Sequence, residues 1–433
     1  MLFLGFTAGL PFLLVFSTLS AWLRDVGVTR TAIGFFAWVG VTYSIKVLWA
    51  PVVDRVPIPM LTRALGKRRS WMLLAQIGIA SGLIGMSMTD PTRTLTPIAL
   101  FALLVAFSSA TQDIAIDAYR IEAVTQDRQA AMAATYILGY RVALLVAGAG
   151  AFYIAEYASW SGAYLAMAAL MLVGMATVMI IAEPVHHRAQ ESVMFEARVV
   201  DFMSRSAHLP QWLRAAGGWF IGAVVCPFAD FFSRNGWLAL VILIFIGVFR
   251  LSDITMGIMA NPFYLDLGFS KPQIADITKV FGFFMTIAGA ALGGLLVIRY
   301  GIMRPLLLGA IMVALTNLLF AMMASVGADV LWLIAVISAD NISGGLANAV
   351  FIAYLSSLTN QAYTATQYAL FSSFMTLPGK FISGFSGVIV DNHGYIAFFT
   401  YAAAIGIPAI LLVIYLMRRA AGSRTARGSD QRK

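Results

Sequence analysis

Charged residues and cysteines are both scarce in this chain of 433 residues. Asp, Glu, Lys and Arg make up 11% of it, whereas a soluble globular domain carries about 25%. The single cysteine, Cys226, excludes an intrachain disulfide and argues against a redox or metal site built on thiolates. The few histidines all lie in predicted loops, so we predict no metal site and no cofactor. They are His186, His187, His208 and His393.

Signatures of enzymes and of nucleic-acid-binding proteins are missing as well. The sequence contains no P-loop, no zinc-binding helix motif and no nucleophile elbow, and we therefore predict that the protein is not an enzyme. Its net charge of +9 would point to nucleic acid in a soluble protein. In a membrane protein the same excess is expected in cytoplasmic loops, so we predict no nucleic-acid partner.

Long hydrophobic runs are what the sequence has in abundance. Apolar residues make up 60% of the chain, and a helix needs about 20 of them to cross the hydrocarbon core of a bilayer. Twelve segments qualify, and we predict an all-α membrane protein with twelve transmembrane helices, named spans 1 to 12 in chain order. They cover residues 2–23, 31–50, 71–89, 95–117, 130–156, 160–182, 237–262, 272–298, 303–326, 329–356, 366–390 and 395–417.

A polar stretch divides the twelve spans into two sets of six. The predicted regions are an N-terminal six-helix bundle at 1–184, a cytoplasmic linker at 185–236, a C-terminal six-helix bundle at 237–418 and a basic cytoplasmic tail at 419–433. Within the linker, residues 193–205 have the pattern of an amphipathic helix on the membrane surface. The apolar run at 213–235 is predicted to be a lateral helix, because a thirteenth span would invert every later loop.

Basic residues are distributed unequally between the two sides of this topology. The side with the linker and the tail has 20 Lys and Arg residues, whereas the other side has 4, namely Arg24, Arg30, Arg93 and Lys271. Cytoplasmic loops of membrane proteins are enriched in Lys and Arg. We therefore predict that both termini are cytoplasmic.

Ten charged residues fall inside predicted spans, where a charge costs at least about 2.5–3.5 kcal/mol on insertion scales. Spans 2, 4, 5, 7, 8, 10 and 11 carry them, and spans 3, 6, 9 and 12 carry none beyond their ends. A polar interior surrounded by support helices is expected of a transporter built from repeated three-helix units. The ten residues are Lys46, Asp113, Asp117, Arg141, Arg250, Asp253, Asp276, Lys279, Asp340 and Lys380.

Depth and spacing separate these charges into groups. Lys46 and Asp113 fall in the same third of the membrane and are predicted to pair. Asp276 and Lys279 have the three-residue spacing of neighbours on a helix, as do Arg250 and Asp253. Four residues fall near the midplane, where transporters bind substrate: Arg141, Arg250, Asp340 and Lys380. A purely structural ion pair is the alternative for any single one.

Carboxylates in a cavity that opens to either side of the membrane are candidates for carrying a proton. Desolvation favours their neutral form, and a nearby cation opposes that effect. On position alone, we assign this role to Asp113, Asp117 and Asp253 as a hypothesis. Neutralising all three is then expected to abolish the sensitivity of uptake to a proton gradient.

The loop between spans 2 and 3 contains Asp54-Arg55 and, further on, Gly66-Lys67-Arg68-Arg69. It resembles the major facilitator signature G-x-x-x-D-R-x-G-R-R, with Ala50 in place of the leading glycine and an insertion between its two parts. The resemblance implies that charge contacts of this loop latch the two bundles. Asp54, Arg55 and Arg68 would then have gating roles, and ordinary basic residues of a cytoplasmic loop are the alternative.

Longer stretches resemble the AmpG-type muropeptide permease family of the major facilitator superfamily. The strongest are YSIKVLWAP at 43–51 and ATQDIAIDAYR at 110–120, and others lie at 4–28, 261–274 and 363–373. The resemblance implies the major facilitator fold and proton-driven import of N-acetylglucosaminyl-1,6-anhydro-N-acetylmuramyl peptides into the cytoplasm. It also implies a bacterial inner-membrane location, a part in peptidoglycan recycling and a link to β-lactamase induction. We predict a monomer.

Such a cargo is an anionic glycopeptide, and it would be the small-molecule partner beside protons and the lipid bilayer. Buried cations are predicted to meet its carboxylates, with bidentate geometry where the cation is Arg, and an amide is predicted to bond its hydroxyls. The predicted substrate-binding residues are Lys46, Gln112, Arg141, Arg250, Asp340 and Lys380. Two alternatives stay open. One is a transporter of another organic anion, such as an acyl-CoA or a siderophore, and the other is a non-transporting assembly factor with a transporter-like fold.

Overall fold

Regular structure in the described part of the chain is helical. The computed structural model describes residues 1–123, 126–184, 197–206, 208, 210–358 and 364–430, and no strand occurs among them. Helices are the expected structure in lipid, because every backbone N–H and C=O must find its partner inside the segment. The prediction of an all-α fold is confirmed.

The first six predicted spans differ in regularity. Span 1 consists of two helices that meet at Phe16, and span 2 is broken into five short helices. The helices of these spans are Leu2–Val15, Ser17–Asp25, Arg30–Phe36, Ala37–Gly40, Val41–Ser44, Lys46–Leu48, Ala50–Arg55, Lys67–Ser87, Thr96–Glu122, Gln126–Leu145, Val146–Gly150, Ala151–Tyr157, Trp160–Leu170 and Leu172–Ile180. A short helix, Leu61–Leu65, lies in the loop between spans 2 and 3.

The later spans are interrupted at fewer places. Span 7 breaks at Arg250, and span 8 begins with a π-helical segment after one short turn. The helices from span 7 onward are Leu238–Phe249, Leu251–Leu267, Lys271–Gln273, Ile274–Phe281, Gly282–Tyr300, Met303–Val326, Val330–Leu358, Thr364–Ser383, Ser386–Ala404 and Ile407–Asp430. Gly394, with a positive φ of 77°, separates the end of span 11 from the start of span 12.

Ten helical segments in the described ranges are long and apolar enough to cross a membrane. Broken span 2 and the helix Thr364–Ser383 of span 11 lie outside these ten, and the segment Ser386–Arg419 joins parts of spans 11 and 12. The count of twelve and the cytoplasmic position of the termini agree with this arrangement and stay predictions.

Two further helices lie between the sets of spans. Ala197–Arg205 covers most of the predicted amphipathic stretch, and residues 193–196 lie outside the described part. The second runs through Gln211–Phe220, Ile221–Val225 and Cys226–Asn235, over the stretch predicted to be lateral. This stretch is not one of the ten candidate spans, whereas the boundaries of the bundles and of the linker stay predictions.

Among the described residues, one hydrophobic core joins the two halves of the chain, and it lies at one end. Leu14 and Ala147 of the first half share one core with Met259 and Phe263 of the second half. This core includes the ends of spans 1 and 7, which are predicted to lie on the periplasmic side. Toward the predicted cytoplasmic end, each half has a core of its own.

Glycines bring spans 1 and 5 into backbone contact. A Cβ at Gly139 would lie 1.9 Å from the Leu2 carbonyl oxygen, and one at Gly5 would lie 2.1 Å from a carbonyl oxygen of span 5. Gly289 and Gly345 do the same for spans 8 and 10. Small residues allow such close approach in membranes, where packing rather than hydrophobicity holds helices together.

We predict that Gly139→Ala lowers the thermal stability of the protein in detergent, although Gly→Ala inside a helix ordinarily stabilises by about 0.5–1 kcal/mol. The added Cβ would displace the Leu2 backbone, and overpacking costs about 1–3 kcal/mol. The control is Gly257→Ala in span 7, where nothing lies within 4 Å of the added Cβ. A Gly139→Ala protein that unfolds at the same temperature as Gly257→Ala would contradict the close approach.

Candidate functional site

The pair predicted between Lys46 and Asp113 is present. The Lys46 Nζ lies 3.6 Å from Asp113 Oδ2, and the two side chains are 33% and 20% exposed. Lys46 begins the 3₁₀ turn Lys46–Leu48, an interruption of the kind that often marks a functional position. Asp113 lies in the regular helix of span 4, and its Oδ1 has no hydrogen-bond partner in the described part of the chain. The pair therefore leaves one carboxylate oxygen buried and without a partner among the described residues.

Lys380 of span 11 reaches across to the first half. Its Nζ donates to Ser44 Oγ at 3.2 Å and lies 5.6 Å from the centre of the Tyr43 ring, a cation–π distance. Ser44 also shares a hydrogen bond of 2.9 Å with a hydroxyl of span 11. Tyr43 and Ser44 lie just before the turn that begins at Lys46. Lys46 of the first half and Lys380 of the second half therefore lie at neighbouring turns of span 2.

Aromatic rings of the first half continue from Tyr43, the ring that Lys380 contacts. Phe12, Phe16 and Tyr43 have ring centroids 5.0 to 6.1 Å apart. On span 5, the rings of Tyr136 and Tyr140 are 6.2 Å apart. The site thus combines cations with flat apolar faces.

Gln112 is buried inside span 4 and does not line an open surface. It is 0% exposed, and neither atom of its amide has a partner among the residues described. A buried polar group without a partner costs about 1–3 kcal/mol. The predicted role of Gln112 in binding hydroxyls therefore requires a conformation different from this one.

A second polar group lies inside the second half. Arg250 and Asp253 form the predicted contact, and Arg250 Nη1 also donates to Asn348 Oδ1 of span 10 at 2.7 Å. These side chains line a cavity between spans 7, 9, 10 and 12, together with small residues such as Gly344 and Ala409. Arg250 stands where span 7 is broken, so a charged group and a helix interruption coincide at this position as they do at Lys46.

Asp340 of span 10 forms only a long hydrogen bond among the described residues. Thr316 Oγ1 donates to its Oδ1 at 3.4 Å. Within the described ranges, no Lys or Arg nitrogen lies within the 4.0 Å of an ion pair with it. The alternative of a purely structural ion pair therefore has no support at Asp340 among the described residues. Its role in the substrate site stays a prediction.

Asp117 and Arg141 form no ion pair with Lys46 or Asp113 among the described residues. Asp117 is 51% exposed and lies 3.5 Å from Arg120. Arg141 of span 5 is exposed and forms no ion pair with another described residue. Their predicted roles in proton coupling and substrate binding stay predictions.

The residues predicted to form the gate are only partly described. Arg68 is buried, and its Nη2 donates to Glu122 Oε1 at 2.6 Å, which ties the start of span 3 to the end of span 4. Its backbone N–H donates to Glu183 at 2.7 Å. Both of these contacts lie within the first half. The side chains of Asp54 and Arg55 lie outside the described part of the chain.

Ion pairs that sequence reasoning missed join the two halves at the predicted periplasmic end. Asp266, at the end of span 7, accepts hydrogen bonds from Arg24 and Arg30 of the first half and from Tyr395. Arg30 also lies 3.3 Å from Asp391. We call these five residues the Asp266 cluster.

A further link lies beside this cluster. Lys271 Nζ is 3.0 Å from Asp25 Oδ2 and 3.6 Å from Glu156 Oε2, both in the first half. Trp160 Nε1 donates to the same Asp25 oxygen at 2.7 Å. The signal in the sequence is that Arg24, Arg30 and Lys271 are three of the four basic residues on the side where such residues are rare.

The predicted pair between Asp276 and Lys279 is wrong. Asp276 accepts a hydrogen bond from Tyr153, and Lys279 Nζ donates to Asn261 Oδ1 at 2.9 Å. Both residues lie in the π-helical segment Ile274–Phe281. Because a π-helix has wider turns than an α-helix, residues three apart no longer point in similar directions.

The fold and the charges enclosed in it define a class of membrane transporter. The family model described as Major Facilitator Superfamily matches residues 1–379, and the chain belongs to that superfamily. A solved nucleoside transporter, NupG, has a TM-score of 0.68 at 13% identity over 96% of this chain and 98% of its own. A peptide transporter of the POT family has a TM-score of 0.67 at 13% identity over 96% and 95%. At these identities the likeness concerns the fold alone.

Closer relatives define a narrower family. The transporter AmpG 4 of Rickettsia conorii is 33% identical over 415 residues, which are 95% of this chain and 94% of that protein. The anhydromuropeptide permease of Escherichia coli K12 is 30% identical over 417 residues, which are 96% of this chain and 78% of that protein. The chain belongs to the AmpG family and is a multi-pass protein of the bacterial inner membrane.

We predict that Asp266→Asn opens the predicted periplasmic end. The amide keeps the size of the side chain but loses the charge that holds Arg24 and Arg30, and hydrogen bonds to charged groups contribute about 1.5–3 kcal/mol each. The measurement is the rate at which an impermeant maleimide labels Ser17→Cys in a Cys226→Ser background, since Cys226 is the only native cysteine. We expect labelling to be roughly ten- to hundredfold faster than with Asp266 intact.

The matched control for this measurement is Asp90→Asn. Asp90 is 49% exposed in its pair with Arg93 in a loop on the same predicted side, so its loss should leave the labelling rate unchanged. Equal labelling in the Asp266 and Asp90 variants would show that the cluster does not hold the halves together.

Proposed function

We propose that this protein imports anhydromuropeptides from the periplasm to the cytoplasm in symport with protons. Membership of the AmpG family supports the cargo, since the relative from Escherichia coli is named anhydromuropeptide permease. The observation that carries the proposal is the Lys46–Asp113 pair beside Lys380, with one cation from each half of the chain. Cations in a partly buried site suit a cargo with peptide carboxylates, and the adjacent aromatic rings suit its sugars.

The packing of the two halves supports alternating access. They share a core at the predicted periplasmic end, where the Asp266 cluster ties them together, and have separate cores at the predicted cytoplasmic end. With both termini in the cytoplasm, this is the conformation in which the site opens inward. In the opposite conformation the cluster separates and the cytoplasmic ends approach each other, which is where Asp54, Arg55 and Arg68 would act as a gate.

Asp113 is the best placed of the proposed proton carriers. Asp253 is held by Arg250, and Asp117 is half exposed beside Arg120, whereas Asp113 binds Lys46 with one oxygen only. Protonation of Asp113 would remove the charge that holds Lys46. Lys46 would then be free to bind a carboxylate of the cargo, so that proton binding favours cargo binding. Release of both into the cytoplasm restores the pair.

Four further predicted residues are proposed to extend this site, three of them in the second half. Arg250, Asp340 and Lys380 come from spans 7, 10 and 11, and Arg141 comes from span 5. We propose that Lys380 leaves Ser44 when the cargo enters, because a carboxylate is a stronger partner for an ammonium than a neutral hydroxyl.

Another organic anion, such as an acyl-CoA or a siderophore, would also suit these cations, since charge alone does not select among anions. A non-transporting assembly factor would have no need for charges on seven different spans, each of which costs free energy in a membrane. Uptake of labelled anhydromuropeptide into right-side-out vesicles separates these functions. A transporter of another anion would take up that anion and not the anhydromuropeptide, and an assembly factor would take up neither.

We predict that Asp113→Asn abolishes accumulation driven by an imposed pH gradient but retains exchange. Wild-type vesicles should accumulate labelled anhydromuropeptide and lose it with a protonophore. The variant should accumulate at least about tenfold less, as expected for loss of a positioned proton-transfer group. It should still exchange labelled for unlabelled cargo, because exchange needs no net proton movement. The measurements are the steady-state internal level and the exchange rate.

The control for this experiment is Asp201→Asn. Asp201 is 54% exposed and pairs with Arg205 on the linker helix, away from the spans. It should accumulate cargo like the wild type. Accumulation by Asp113→Asn at the wild-type level would contradict the role of Asp113, whereas wild-type vesicles that take up no anhydromuropeptide would contradict the cargo.

A further inference from the structure

Lys279 is a cation enclosed between the two halves, and its hydrogen-bond partner is a neutral amide. Its Nζ donates to the neutral Asn261 Oδ1 at 2.9 Å and lies 5.7 Å from the centre of the Phe152 ring. No carboxylate within the described ranges lies within the 4.0 Å of an ion pair. A charge removed from water without a charged partner is costly, so this arrangement needs an explanation.

The position of Lys279 differs from that of the other cations at the predicted periplasmic end. Arg24 and Arg30 bind Asp266, and Lys271 binds Asp25. A carboxylate is even available three residues before Lys279, but Asp276 accepts a hydrogen bond from Tyr153 instead. The nearby ties between the halves use ion pairs. Lys279 instead binds a neutral amide, which is not expected of a residue that serves only as such a tie.

The neighbours of Lys279 belong to elements that separate when this end opens. Its methylene groups lie 3.5 Å from the place of a Cβ on Gly148, and both Gly148 and Phe152 are on span 5 of the first half. Gly148 lies in the π-helical segment Val146–Gly150, opposite the π-helical segment that carries Lys279. π-Helical segments are frequent at functional sites. Separation of the halves would remove the Phe152 ring and turn Nζ toward the entry route.

We propose that Lys279 binds a carboxylate of the cargo when the periplasmic end is open, and that it is a specificity-determining residue for anionic cargo. The assignment rests on the proposed function. In the closed conformation Asn261 and Phe152 keep the ammonium in place without competing for it as a carboxylate would. The cargo then passes inward to Lys46 and Lys380, and Lys279 returns to Asn261 as the halves close.

The experiment compares two forms of one cargo in reconstituted vesicles. One is an anhydromuropeptide with free peptide carboxylates, and the other is the same molecule with those carboxylates amidated. The quantity measured is the ratio of their uptake efficiencies, expressed as maximal rate over half-saturating concentration. We expect the wild type to prefer the cargo with free carboxylates at least tenfold. Lys279→Met should reduce this preference at least fivefold, because it raises the half-saturating concentration of that cargo. Lys279→Arg should keep the preference, and the amidated cargo should be taken up similarly by wild type and Lys279→Met.

The matched control is Lys271→Met, which removes a cation of the same end that already has carboxylate partners. It should change the uptake of both cargo forms by the same factor and leave their ratio unchanged. If Lys279→Met reduced the uptake of both forms by the same factor, the assignment would be overturned and Lys279 would be a structural tie. A wild type that takes up both forms equally well would also overturn the assignment. A wild type that takes up neither form would instead overturn the proposed function itself.

Discussion

Two arginines of the first half share one carboxylate of the second, and this contact ties the halves together at the predicted periplasmic end. Asp266 is 13% exposed, while Arg24 and Arg30 are 22% and 27% exposed. Fully exposed ion pairs contribute about 0–1 kcal/mol, whereas breaking a buried pair costs about 3–5 kcal/mol. The cluster is partly exposed, so its contribution to holding the halves closed is expected to fall between these limits.

The charges inside the spans follow the internal repeat of the fold. Spans 2, 4 and 5 include a cation, a carboxylate and a cation, and spans 8, 10 and 11 include the same types in the same order, whereas Asp117 of span 4 and Asp276 of span 8 have no counterpart. The residues that match by span are Lys46 and Lys279, Asp113 and Asp340, and Arg141 and Lys380. They do not all match in depth, since Lys46 is predicted to lie in the cytoplasmic third of the membrane and Lys279 lies toward the periplasmic end. Only the first half pairs its lysine with its aspartate. The second half leaves Lys279 and Asp340 without an ion pair in the described ranges, so the repeat provides similar residues for unequal tasks.

Much of the fold and part of the site follow from sequence for clear physical reasons. Hydrophobic length predicts the spans, and three-residue spacing predicts the contact between Arg250 and Asp253, because both effects are local. The same spacing fails for Asp276 and Lys279, since nothing in the local pattern reveals the π-helical turns around them. The Asp266 cluster joins residues 242 positions apart. Such a contact depends on how the halves pack, which the order of residues along one span does not determine.

The break in span 1 connects the two lysines that reach between the halves. On one side of it, the Phe16 ring packs against Tyr43, whose face lies beneath Lys380. On the other side, the Ser17 carbonyl accepts a hydrogen bond from Asn261, the residue that holds Lys279. A coupling between sites needs an element whose position both of them bias. Since each lysine acts on this break through a single intermediate side chain, departure of Lys279 toward a carboxylate would change the support of the ring beneath Lys380. The break in span 1 thus contacts the supports of both lysines.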